Sequence, residues 1–215
     1  MRKALCSLLA ATAALAMPVP AAAAADNGEA VRDIYDAGRC MVDRDRSTAV
    51  GFLQAVPVDS ENADLSLLPD NLIRRCAEGM NSAKTLLIRG AIAQALFFRD
   101  FGGFGLEPRR SAPLVNLDLP VQDSPEGSVR MELYRWSDCV VRNDAHHTER
   151  LLSSTVGSRG EAAAIERLRA FMAACAPAGS QLAVQATELR SLLAQSAYHS
   201  MYRYWTSQLD PVRDQ

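Results

Sequence analysis

Four cysteines, Cys40, Cys76, Cys139 and Cys175, fall into two pairs with an equal spacing of 36 residues, and the text around them recurs. DIYDAGRCMVDRD at 33–45 lies against ELYRWSDCVVRND at 132–144. Asp33 matches Glu132, Tyr35 matches Tyr134, and Val42 and Asp45 match Val141 and Asp144. Phe52 and Leu53 then fall on Leu151 and Leu152, and Leu72 and Ile73 fall on Phe171 and Met172. Beyond the second cysteine of each pair a two-residue insertion shifts the register, and RGAIAQALF at 89–97 lies against RSLLAQSAY at 190–198. The common order of these matches reads as a duplicated module of about 70 residues.

Each module reads as about four helices, so the fold class expected is all-α, with about eight helices packed together across an irregular linker. In the second module Ser158 and Glu161 form a capping box. Behind it Ile165, Leu168, Phe171, Met172 and Cys175 recur at three or four residues, one buried stripe, until Ala176, Pro177 and Gly179 stop the helix. A last helix starts near Thr187 or Glu188, with Leu189, Leu192, Leu193, Ala197 and Met201 on its inner face. Its counterpart uses Ile88, Ala91, Ile92, Ala95 and Leu96. Asp45 and Asp144 can each cap a short second helix.

The ends and middle set the boundaries. Arg2 and Lys3, the apolar run ALCSLLAATAALAM and the small residues of PVPAAAAAD have the order of a secretory signal over 1–25, cleaved after Ala23 or Ala25. Cys6 would leave with it. The modules then span 26–98 and 129–208, separated by an irregular linker at 99–128 that is rich in glycine and proline. Its apolar residues Phe101, Phe104, Leu106, Leu114, Val115, Leu117 and Leu119 are expected to pack in part across the junction, and LVNLDL admits a short strand. Ser124 and Pro125 suit the start of the next helix.

The whole chain has 23 basic and 25 acidic residues, and loss of Arg2 and Lys3 leaves a mature formal charge of −4. That balance offers no surface for nucleic acid. No later apolar run is long enough for a transmembrane segment once the signal is removed. An exported chain meets an oxidising compartment, and an even cysteine count without a CxxC pair points to disulfides Cys40–Cys76 and Cys139–Cys175. Bridges between modules are the alternative. His146 and His147 read as solvated residues of a first turn.

No G-x-S-x-G, H-E-x-x-H, P-loop, dinucleotide fingerprint or calcium loop occurs, and neither a metal nor a cofactor is expected. The weak catalytic candidates are Asp33 and Glu132, which recur and could face one another across a pseudo-twofold junction, and His199, which could act as a base. The structural readings of the same residues are a helix N-terminal charge for the acids and aromatic packing for His199, within AYHSMYRYW.

Over 132–198, through Tyr134, Cys139 to Val141, Leu151 and Leu152, Val156 to Ser158, and Cys175, Pro177 and Gly179, the chain resembles a group of secreted proteins of alphaproteobacteria, notably sphingomonads. The first module departs from that pattern at Met41 and at ENADLSLLPD. The resemblance implies export and duplication. The function expected is an interaction or structural role in the periplasm or outside the cell, with a protein or envelope component as partner. The alternative is a periplasmic hydrolase using carboxylate or histidine groups at the module junction.

Overall fold

The computed structural model describes residues 21–58, 65–78, 84–106, 125–177 and 184–209. Residues 1–20, most of the segment expected to be a signal over 1–25, and the LVNLDL segment, with Leu114, Val115, Leu117 and Leu119, lie outside the described residues. Among those described are eight α-helices: α1 (Ala21–Arg44), α2 (Arg46–Ala55), α3 (Asp70–Cys76), α4 (Thr85–Phe101), α5 (Pro125–Asn143), α6 (Ala145–Ser153), α7 (Arg159–Cys175) and α8 (Ala186–Leu209). A single 3₁₀ turn at Leu65–Leu67 precedes α3.

Caps set the short helices. Asp45 accepts from the Thr48 amide at 3.0 Å at the head of α2, and Asp144 accepts from the His147 amide at 3.1 Å at the head of α6. Ser158 Oγ accepts from the Glu161 amide at 3.1 Å. Glu161 closes its side of the capping box on the Gly157 amide, one residue before the cap, and leaves its other oxygen free for a task described below.

α4 and α8 lie together at the centre, with α1 packed on α4 and α5 on α8. The close approach has a local cause. A Cβ on Gly90 of α4 would stand 2.5 Å from the Ser191 Cα of α8, and one on Gly38 of α1 would stand 2.7 Å from the Ala91 carbonyl carbon of α4. α6 and α7 pack on each other and against the α5 side. Both disulfides form within modules. Cys40–Cys76 ties α1 to the end of α3 with Cα atoms 5.5 Å apart, and Cys139–Cys175 ties α5 to the end of α7 at 5.8 Å. Closing a loop of this length stabilises by about 4 kcal/mol in the chain-entropy account.

The inner face expected for the last helix is sealed: Leu192, Leu193, Ala197 and Met201 are fully buried and Leu189 nearly so. Three details differ from the sequence reading. α4 runs to Phe101, three residues into the expected linker, and the turn after it buries Leu106 while Phe104 stays exposed. The Leu106 amide donates to Glu149 of α6, so the start of the linker does reach across to the second module. Phe171 is exposed: α7 buries Glu161, Ala164 and Leu168, and Ile165, Met172 and Cys175 are half-buried against the core.

Candidate functional site

Two arginines lie in the centre of the molecule. Arg89 and Arg190 are 0% and 1% exposed, on α4 and α8, at matching positions of the two modules. Arg190 uses all five donors. Nε donates to Gln94 Oε1 at 2.9 Å, Nη1 to Ser154 Oγ and Glu161 Oε1, and Nη2 to the carbonyls of Leu152 and Ser154. Arg89 repeats the plan: Nε donates to Gln195 Oε1 at 3.0 Å, and Nη1 to the carbonyls of Leu53 and Val56.

Val56 and Ser154 are the C-cap residues of α2 and α6, so each guanidinium answers carbonyls that a helix end leaves without partners. Each Nε crosses to a glutamine of the other module. The acids differ: Glu161 neutralises Arg190 at 2.9 Å, whereas Arg89 Nη2 has no hydrogen-bond partner among the described residues and burial pulls its guanidinium pKa down.

A tyrosine accompanies each arginine. The ring of Tyr35 stacks on Arg190 at 5.1 Å, and its hydroxyl shares a hydrogen bond of 2.9 Å with Ser191 Oγ. Tyr134 donates to Gln195 Oε1 at 2.8 Å. Burial pushes the Tyr35 phenol up to about 12, so it stays protonated at neutral pH.

Above Tyr35 and Arg190 the junction opens into a cleft of about 660 Å³. α1 supplies one wall, α4 the floor, and the residues from Leu152 to Val156 at the end of α6 close the far side. Ala91, Ala95, Phe98 and Val156 make it apolar, and Arg32, Arg39 and Arg99 stand around it with Asp36 and Asp43. The size suits a small molecule or a short segment of chain.

Comparison of the chain with protein-family models, curated proteins and solved structures gave no match.

The candidates from the sequence do not share this cleft. Asp33 is exposed on α1 and is not among the residues lining it. Glu132 is exposed on α5 and lines a shallow depression beside Arg135, Trp136 and Cys175. His199 is half-buried on α8, its Nε2 sealed from water with no hydrogen-bond partner among the described residues. Burial, then the nearby charges of Arg89 and Arg203, lower its pKa to about 3, which keeps the ring neutral. His146 is exposed, but His147 is half-buried and its Nδ1 lies 2.7 Å from Asp144 Oδ2, so it supports the α6 cap. Among the described residues no group of three His, Cys, Asp or Glu is placed to hold a metal ion, and no helix is long and apolar enough to cross a membrane.

Sequence reading passed over Arg89, Arg190, Gln94 and Gln195. Their signal was present in RGAIAQ and RSLLAQ: an arginine and a glutamine recurring, five residues apart, in otherwise apolar helices.

Proposed function

We propose that this chain is an exported binding protein, built by duplication of one helical module, whose junction cleft receives its partner in the periplasm or outside the cell. The observation behind the reading is the cleft itself, an open apolar floor set between rigid helices and edged with guanidinium groups. The hydrolase alternative asks a carboxylate pair or an imidazole to converge on one bound group, and Asp33, Glu132 and His199 stand on separate surfaces. Export rests on the order of charges, apolar residues and small residues at the N-terminus, and on the resemblance to secreted alphaproteobacterial proteins.

Cell fractionation of the full precursor tests the location. The processed chain should appear outside the cytoplasm with a mass that begins after Ala23 or Ala25, and a full-length cytoplasmic product would overturn it. Native mass spectrometry of that material tests binding. A mass adduct present in the wild type and lost from Ala95→Trp, which fills the cleft, supports the reading. Identical spectra for the two proteins count against it.

A further inference from the structure

The seams of the two modules invite a position-by-position comparison, because α1 packs on α4 as α5 packs on α8. In the second module hydrogen bonds close the seam. Asp138 Oδ1 accepts from Ser200 Oγ at 2.7 Å, Ser137 and Ser196 share a hydroxyl hydrogen bond, and Leu192 fills the floor with no exposure. The corresponding positions of the first module, 99 residues earlier on α1 and 101 earlier on α4, read differently. Asp138 and Ser200 become Arg39 and Arg99, two like charges that cannot pair. Ser137 and Ser196 become Gly38 and Ala95, and Leu192 becomes Ala91. The tyrosine, arginine and glutamine common to both modules hold the centre, and Tyr35, Gln94 and Arg190 also form the base of the cleft; Arg39, Arg99, Ala91 and Ala95 are the lining residues that differ from their counterparts in the second module.

From this contrast we infer that the cleft between α1, α4 and the end of α6 is a binding site for a small amphipathic anion, a carboxylate or similar head group on an apolar body. The inference rests on the cleft reading above and adds the class of ligand. The apolar body lies over Ala91 and Ala95 against Phe98, where the second module has its own leucine. The head group meets the guanidinium rim. Arg190 is already neutralised by Glu161, Arg39 is only loosely engaged by Asp36 at 3.4 Å with both side chains about two-thirds exposed, and Arg32 has no side-chain partner among the described residues. Arg32 and Arg39 sit two helical turns apart, about 10 Å along α1, so one head group can be met at either end of the cleft. Arg99 gives one donor to the Val42 carbonyl, which steadies it at the rim while the rest of the guanidinium stays available. Guanidinium groups bind carboxylates through paired donors, and an adjacent apolar wall strengthens that contact by excluding water.

The test uses the mature protein with 8-anilino-1-naphthalenesulfonate, an apolar anion that fluoresces when it leaves water. Saturation at one probe per chain is expected, with displacement by decanoate and none by decyltrimethylammonium at equal concentration. Arg32→Gln with Arg39→Gln, both on the exposed face of α1, should weaken probe binding at least tenfold with an unchanged circular dichroism spectrum. Ala95→Trp should abolish it, and Ser153→Trp, placed on an exposed position of the opposite wall, does the same task if the first variant folds poorly. Binding lost in the tryptophan variants but unaffected by the arginine changes, or displacement equally by the cation, would overturn the anion and leave a binding cleft. Binding undiminished in both tryptophan variants would overturn the site and the proposed function together.

Discussion

A buried arginine is costly unless every donor is answered, and Arg190 meets that demand with two helix-end carbonyls, a serine, a glutamine and Glu161. Arg190→Met would strand the Glu161 carboxylate, itself 5% exposed, and should cost about 3–5 kcal/mol by denaturant unfolding. Adding Glu161→Gln to it should restore part of that loss, and a strictly additive double variant would show that the two groups are not coupled. His199 makes a second prediction at this scale. Its pKa is depressed to about 3 in the folded chain and lies near 6.5 in the unfolded one, so between those values the unfolded state binds the extra proton. The ring's contribution is therefore intact above about pH 6.5 and is lost as pH falls toward 3. His199→Phe, which installs the side chain that the first module has at Phe98, should flatten the melting temperature between pH 6.5 and 4 relative to the wild type. An unchanged pH slope would mean that His199 is as free to protonate in the fold as out of it.

At the scale of elements, the α4–α8 pair decides the architecture. α8 is buried all round from Leu189 to Tyr198, so its polar residues there, Arg190, Ser191, Gln195 and Ser196, are spent on hydrogen bonds to other helices and not on solvent. Gly90→Ala would drive a methyl group into Ser191 and force the two central helices apart, for a loss of about 1–3 kcal/mol. Leu193→Ala removes a side chain with no exposure and should cost about 2–5 kcal/mol, depending on how far the cavity collapses. The end of α8 is also structural. Tyr198 packs on Phe101 with ring centroids 6.0 Å apart, Trp205 packs on Phe104 at 4.9 Å, and Met201 is fully buried. Deleting residues 198–215 should lower the melting temperature sharply. An unaltered melt would recast this aromatic end, where Tyr202 is exposed, as a docking strip.

For the whole molecule the consequence of the crossed arginines is cooperativity. Gln94 of the first module answers Arg190 of the second, and Gln195 of the second answers Arg89 of the first, so separating the modules strands a polar group on each side. Each module would also lose the apolar face that α4 and α8 give one another, and a unit of about 70 residues has little core to spare. Calorimetry of the chain should show one transition, and two resolved transitions matching separately expressed halves would contradict this. Reducing both disulfides should lower its midpoint while leaving a single transition, because the bridges act within modules and the arginine network acts between them.

What the sequence determined by itself is what depends on short spacings along the chain. Helical periodicity picked out Leu189, Leu192, Leu193, Ala197 and Met201 of α8, Asp45, Asp144 and Ser158 announced their caps, and equal cysteine spacing announced the pairing, because each of these signals lies within a few turns or repeats visibly. Phe171 fits the same apolar period yet lies outside, since periodicity says which face of a helix is apolar but not how widely a neighbour covers it. The site needed the tertiary structure. Asp33 and Glu132 recur conspicuously and still stand exposed, whereas Tyr35, Gln94 and Arg190 come together from three helices and from both modules. Asp138 pairs with Ser200 across the α5–α8 seam, whereas the corresponding Arg39 and Arg99 line the cleft beside α1 and α4, and no spacing along the chain shows which of these positions meet until the helices carrying them are brought side by side.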